Sequence, residues 1–389
     1  PIALAVAKSN FKGLILPSAN SAEAGLAQQI KIYPVRTLTE TVHLLNDPGN
    51  VNPLMACGNH LPFPKCAIHD VDFSDVKGQA HVKRGLEIAA AGNHNVLLIG
   101  PPGSGKSMLA KRLPTILPDM SLEESLETTK IHSVMGLLDH QQGIISERPF
   151  RSPHHTTSDV AIVGGGSIPR PGEVTLSHNG VLFLDELPEF NRNVLESLRQ
   201  PLEDHYVTIS RAIRSVRFPS KFILIAAMNP CPCGFLTDSK RQCHCTPHQI
   251  QKYLSRISGP LLDRIDLHLE VPTLPSIDLV NNSPTETSQT IKERIEKARL
   301  YQLQRFIDMP IVANGYMNHR QVKKFCGLTS EGKKLLKSAI DELGLSARAY
   351  DKILKVARTV SDMAGSESIQ PEHIAEAIQY RSLDRNWWG

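Results

Sequence analysis

No apolar run reaches the roughly 18 to 20 residues that a membrane span requires. The start of the chain also lacks a basic stretch followed by a cleavable apolar segment. Both absences point to a cytoplasmic protein with no membrane partner. Internal repeats and low-complexity tracts are missing too, which excludes a repeat array. Charge of one sign is scarce: 43 Lys and Arg against 39 Asp and Glu leave only +4 over 389 residues. Bulk composition therefore announces no nucleic-acid binder, and local clusters have to carry such an argument. Nor is there a disulfide framework, because the seven cysteines are odd in number and four of them crowd between positions 231 and 245. That pattern suits a cytosolic metal cluster with scattered thiols. The chain opens on Pro1 without an initiator Met, so it reads as a fragment or processed form.

The length suggests two or three domains with ample core. Residues 1–47 carry short apolar runs (Ile2 to Val6, Gly13 to Leu16, Ile32 to Val35) between helical stretches, as at the end of a small α/β domain. Prolines at 48, 53, 62 and 64 mark residues 48–70 as a linker. Across 71–272, apolar strand candidates at 95–99, 181–184, 222–227 and 266–271 alternate with helical segments. This spacing predicts an α/β fold with a parallel sheet covered by helices. A polar, proline-containing stretch at 273–287 reads as a second linker, and residues 288–389 as a helical domain. Within that domain a helix should begin after an N-cap at Ser346, carry Ile353, Leu354, Ala357, Val360 and Met363 on one face, and stop at Gly365.

The run Gly100-Pro101-Pro102-Gly103-Ser104-Gly105-Lys106-Ser107 fits the G-x-x-x-x-G-K-[ST] phosphate loop at every fixed position. Its glycines let backbone N–H groups curl round a phosphate, Lys106 reaches the β and γ oxygens, and Ser107 is a magnesium ligand. The helix that follows points its positive end at the same charge. Val181 to Leu184 is an apolar strand ending in Asp185 and Glu186. Asp185 is placed to act on Mg²⁺ and Glu186 to orient or deprotonate the attacking water, because phosphoryl transfer depends on positioning and charge stabilisation. Asn229 ends the apolar strand 222–227 and either helps hold that water or simply forms a turn before Pro230.

Arg264, in Ser258-Gly259-Pro260-Leu261-Leu262-Asp263-Arg264, can reach a neighbour's nucleotide if subunits form a ring; the alternative is a surface salt bridge. The same choice applies to Arg348. Cys231, Cys233, Cys243 and Cys245 supply four thiolates for a tetrahedral Zn²⁺ site, with His244 and His248 as substitute ligands and reduced structural thiols as the plainer reading. Basic residues cluster at Arg148, Arg151, His154 and His155, and again at Arg211, Arg214 and Arg217 within an alternating stretch from Tyr206 to Phe218 that reads as a hairpin. Such projections either touch nucleic-acid phosphates or form a solvated face.

Taken together, these residues resemble the magnesium-chelatase-like branch of the AAA+ ATPases. The resemblance rests on Phe73-Ser74-Asp75-Val76-Lys77-Gly78-Gln79, Arg148-Pro149-Phe150-Arg151-Ser152-Pro153-His154-His155-Thr156, His178 to Glu186, Asn229-Pro230-Cys231-Pro232-Cys233-Gly234 and Ser258 to Arg264. It covers nearly the whole chain, and residues 1–47 are similar to the end of the family's Lon-protease-like N-terminal domain. It implies an AAA+ core, a C-terminal helical lid, bound ATP and Mg²⁺, and a homo-hexameric ring. Asp185 and Glu186 would be Walker B, Asn229 sensor 1, Arg264 the arginine finger and Arg348 sensor 2. By position, residues 144–172 and 206–218 match elements that face the pore. The implied role is ATP-driven translocation on single-stranded or branched DNA, extending heteroduplex by branch migration during natural transformation, with recombination accessory proteins as further partners. A chelatase-type subunit that remodels a protein partner is the alternative, and a nucleotide-switched scaffold a third reading. No serine–lysine protease pair is identifiable, so peptidase activity is not expected.

Overall fold

The computed structural model describes residues 2–9, 11–25, 30–47, 52–54, 70–138, 144–166, 169–210, 215–238, 240–274, 285–344 and 346–381. Most of the two linker candidates, together with Arg211 and Arg214, lie outside these residues. The chain forms two compact units, one of Pro1–Ile68 with Asp119–Arg148 and the other of His69–Pro118 with Pro149–Gly389.

In the first unit, β1 (Gly13–Pro17) and β2 (Lys31–Val35) pair in parallel with Gly13 opposite Lys31. Ala3, Ala24, Ile30 and Ile32 form its small core. The helix Leu38–Asn46 starts where the Thr37 side chain accepts the Glu40 N–H. The helix Leu122–Val134 starts with a reciprocal capping box between Ser121 and Glu124.

The second unit is built on a five-stranded parallel sheet. Its strands are β3 (Val96–Ile99), β4 (Phe150–Arg151), β7 (Val181–Leu184), β10 (Ile223–Met228) and β11 (Leu267–Glu270), in the spatial order β11-β3-β10-β7-β4. Two short strands, β5 (Gly164–Gly165) and β6 (Arg170–Pro171), pair on their own. A hairpin joins β8 (Tyr206–Ser210) to β9 (Ser215–Pro219). Every residue of β3, β7 and β10 is buried, which explains their continuous apolar sequences: both faces are covered, so nothing alternates with solvent.

Side chains divide between two cores by the period-two rule. Val96, Leu98, Phe183, Ile225 and Leu269 share one face with the helices Ala80–Gly92 and Lys106–Ile116 and with the C-terminal helices. Leu97, Ile99, Leu182, Leu184 and Leu224 share the other with Val194, Leu195, Tyr253 and Leu254. In the hairpin, Val207 and Ile209 join this second core while Thr208 and Ser210 face outward.

The C-terminal helices are Ser288–Arg305, His319–Phe325, Ser330–Leu343, Ala347–Met363 and Pro371–Gln379. Ser346 caps the fourth as its sequence predicts, accepting the Ala349 N–H. Two polar ties fix this region to the rest of the unit. Asp72 accepts the Ser288 N–H, and the buried Asp266 just before β11 meets Lys352 Nζ at 2.5 Å and the Asn95 N–H at 2.8 Å. Burial opposes the Asp266 charge, but Lys352 and His94 outweigh it and hold the carboxyl well below its usual range.

A carboxyl depressed in the folded state contributes stability above its ordinary pKa of 3.8 and loses it as pH falls below. Asp266→Asn should therefore destabilise the protein at neutral pH by about 3–5 kcal/mol, because it strands Lys352 in the interior. Urea unfolding at pH 7 measures the loss, and the gap from wild type should narrow as the buffer is made acidic.

Candidate nucleotide site and metal centre

The strand order places three carboxyl ends side by side: β3 leads into the phosphate loop, β10 to Asn229 and β7 to Asp185. Sites in open α/β sheets gather at this edge. The Gly100 N–H donates to the Met228 carbonyl at 3.2 Å, so the loop begins anchored to the end of β10. Gly100 has to be glycine, since a Cβ there would lie 2.2 Å from the Val271 carbonyl oxygen. Gly103 and Gly105 take φ of +76° and +95°, in the left-handed region that favours glycine.

Lys106 is buried, and its Nζ donates to the carbonyls of Gly100 (2.7 Å) and Pro101 (2.9 Å) and to Asn229 Oδ1 (3.2 Å). Burial lowers its pKa, and the negative Asp185 opposes that shift. Ser107 Oγ donates to Asp185 Oδ2 at 2.6 Å. The structure thus brings Lys106, Ser107, Asp185 and Asn229 into one hydrogen-bonded group around Gly100-Pro101-Pro102-Gly103-Ser104-Gly105. The donor set fits a hard divalent cation: one hydroxyl and one carboxylate oxygen beside a phosphate-binding loop.

Glu186 sits in the left-handed region at φ +53°, unusual for a residue with a Cβ. Its N–H donates to Asp185 Oδ1 at 3.0 Å, which turns its own side chain outward and leaves it half exposed. There its carboxylate meets His155 Nδ1 at 3.2 Å, and the His155 ring lies 4.1 Å from that of His154. The His155 contact was hidden from sequence spacing. It arises because β4 pairs with β7 in parallel, Phe150 opposite Val181, so the chain leaving β4 runs toward the same edge as Glu186.

Arg264 and Arg348 converge on one carboxylate. Arg264 bonds the carbonyls of Arg199 (3.1 Å) and Pro260 (2.6 Å) and ion-pairs with Glu203, while Arg348 approaches the same Glu203 at 4.0 Å. Among the described residues, neither makes a hydrogen bond or ion pair to the phosphate-loop residues of its own chain. Glu203 carries no motif that would have singled it out.

Beside the loop lies a cavity of about 500 Å³ lined by Gln79, His81, Val82, His268 and Pro272. Gln79 Nε2 donates to the Ser104 carbonyl at 2.8 Å and to the Pro272 carbonyl at 3.1 Å, which ties the cavity wall to the loop. The His81 ring stacks on Tyr380 at 5.2 Å. The size and the mostly apolar lining with a few polar groups suit a planar heterocycle. Gln79 was visible only as part of a motif, with no role that spacing alone could assign.

The four cysteines come together. Sγ separations are 3.3 Å for Cys231–Cys233, 3.7 Å for Cys231–Cys243 and 3.6 Å for Cys233–Cys243, and with Cys245 all four lie within 4.8 Å of one another. A tetrahedral zinc with bonds of about 2.3 Å sets its sulfurs about 3.8 Å apart. Burial raises the Cys231 pKa, whereas the Phe235 N–H holds the Cys233 thiol low and ready to act as a thiolate. His244 and His248 are exposed and stand outside this group.

The basic clusters are largely paired. Arg148 bonds Glu124 at 3.0 Å and the Asp119 carbonyl at 3.2 Å, and Arg151 grips Glu173 through two bonds of 2.6 and 2.8 Å. His154 Nδ1 lies 2.9 Å from Thr156 Oγ1. On the hairpin, Arg217 is exposed and stacks on the Tyr206 ring at 3.2 Å.

Family models described as "Magnesium chelatase, subunit ChlI" and "Magnesium chelatase, subunit ChlI C-terminal" match residues 72–279 and 285–381. The chain is 43% identical to competence protein ComM of Haemophilus influenzae, over 99% of this chain and 74% of that protein. It is 48% identical to the uncharacterized protein YifB of Escherichia coli, over 81% of this chain and 61% of the relative. Magnesium-chelatase subunit ChlI of Cyanophora paradoxa is 20% identical over 79% of this chain and 88% of its own length.

The crowding at Gly100 gives a direct test of how tightly the loop is packed. Gly100→Ala should destabilise the protein by about 1–3 kcal/mol through overpacking against Val271, seen as a lower urea midpoint with an unchanged slope.

Proposed function

The chain belongs to the magnesium chelatase subunit ChlI family of AAA+ ATPases, and we propose that it works as an ATP-driven ring motor on DNA that extends heteroduplex by branch migration during natural transformation. Membership of that family supports ATPase activity with ATP and Mg²⁺. The observation that carries the reading is the meeting of Lys106, Ser107, Asp185 and Asn229 at neighbouring strand ends, with Glu186 alongside. The DNA step draws its support from likeness to a competence protein over 99% of the chain.

In this reading Lys106 exchanges the carbonyls of Gly100 and Pro101 for the β and γ phosphate oxygens. Ser107 and Asp185 hold the magnesium ion, which when bound neutralises phosphate charge. Glu186 orients the attacking water and takes its proton as the γ-phosphoryl leaves, and Asn229 steadies that water through its side-chain oxygen. The cavity beside Gln79 takes the adenine. Arg264 and Arg348, held together by Glu203, face an adjoining subunit of a homo-hexamer and stabilise transition-state charge there. Cys231, Cys233, Cys243 and Cys245 hold a structural zinc.

DNA contact falls to the β8–β9 hairpin, whose Arg217 is exposed, and to the segment around Arg148, Arg151, His154 and His155. Arg211 and Arg214 are candidates by sequence alone. Single-stranded or branched DNA is the substrate, recombination accessory proteins are the other partners, and the cytoplasm is the site of action. The second reading, a chelatase-type subunit remodelling a protein partner, is favoured by the family description and the 20% likeness to a chelatase subunit. The stronger likeness to a competence protein weighs against it.

Lys106→Ala should abolish nucleotide binding. Glu186→Gln should keep it and lose turnover by about 10²–10⁴-fold, as measured by phosphate release alongside equilibrium binding. Single-stranded or junction DNA should accelerate ATP hydrolysis by the wild-type protein, and ATP should drive strand exchange on a synthetic three- or four-stranded junction. Hydrolysis indifferent to DNA would favour the chelatase-type reading.

A further inference from the structure

The segment from Met228 to Gly234, which ends in the cysteine turn, touches the phosphate loop at three places. The Met228 carbonyl at the end of β10 accepts the Gly100 N–H at 3.2 Å. The next residue, Asn229, accepts from Lys106 Nζ at 3.2 Å. Cys231, fully buried two residues on, opens a turn closed by the Gly234 N–H on the Cys231 carbonyl at 3.0 Å. The back of that turn rests on Pro102. Gly234 has φ +85°, and a Cβ at this position would lie 2.5 Å from Pro102 Cδ and 2.7 Å from Pro102 Cγ. A single short segment therefore holds the beginning of the phosphate loop, its tip and its lysine.

The remainder of the cysteine segment has little structure of its own. Among the described residues from Phe235 to Cys245 there is neither helix nor strand. Four metal–sulfur bonds would hold Cys243 and Cys245 onto Cys231 and Cys233, and would add to the Gly234 hydrogen bond in fixing the turn that meets Pro102.

We infer that the four-thiolate centre is a clip that sets the phosphate loop, so that metal occupancy and nucleotide binding are thermodynamically linked. This inference rests on the reading of the loop as the ATP site. Linkage is reciprocal: if zinc raises ATP affinity, ATP holds zinc more tightly by the same factor. The centre thereby gains a role beyond local stability, because a chain without its metal would lose its grip on fuel.

The test uses the whole chain, zinc-loaded and zinc-free, the latter prepared with a chelator under reducing conditions. Zinc removal should weaken Mg-ATP binding by about tenfold, within the usual span of coupling between sites, and zinc alone should restore it. Mg-ATP should slow zinc release to a chromogenic chelator in parallel. Gly234→Ala should keep about one zinc per chain, the stoichiometry of a four-cysteine site, yet bind ATP more weakly, because the added methyl presses on Pro102. This variant retains all four cysteines, so it stays informative if Cys233→Ser fails to fold. Equal ATP affinity with and without zinc, or wild-type affinity in Gly234→Ala, would overturn the clip and leave the ATPase reading standing. Absence of bound zinc would overturn it as well. Failure of both forms to bind ATP would instead remove the ATP-site reading, and the clip with it.

Discussion

Parallel pairing of β3, β10 and β7 is the constraint on which the site depends. The register sets Met228 against Ile99 and Leu184 against Ala226, so the three strands end within a residue or two of one another. Because β10 lies between the other two, whatever follows it sits between the phosphate loop and the acidic pair. This is why Asn229 reaches Lys106 although 123 positions separate them. Burial of every side chain in these strands makes the register difficult to change: a slip by one residue would exchange the two apolar cores, one on each face of the sheet.

Charge around this edge is managed by pairing. Lys106 is held by carbonyls and an amide, Ser107 by Asp185, Glu186 by His155, and Arg264 by Glu203. Each functional candidate thus has an alternative partner within its own chain. Binding of a polyanion at such a site is an exchange of partners, which makes the net gain smaller than the gross attraction between phosphate and lysine.

The buried strands, the phosphate loop and the acidic pair were legible in the sequence because their signals are local. A fully covered parallel strand is a continuous apolar run, and the loop's glycines stand at fixed spacing. The helix start at Ser346 was legible for the same reason, since a cap acts within one turn. The contacts of His155, Gln79 and Glu203 were not. His155 meets Glu186 through a strand of only two residues, too short to show a pattern. Glu203 meets Arg264 across 61 positions, and nothing near Glu203 marks it. Arg148 and Arg151 looked like a free basic cluster until the fold supplied Glu124 and Glu173, distant carboxylates that no spacing rule could have paired with them.

The buried contact between Asp266 and Lys352 reaches further than the strength of one ion pair. Asp266 lies two residues beyond Arg264, and Lys352 lies one helical turn beyond Arg348. That contact therefore acts as a pin through two arms, each carrying a guanidinium at its tip. The ion pair thus joins the two stretches of chain whose guanidiniums meet at Glu203, and a shift of the helix Ala347–Met363 would be felt beside both.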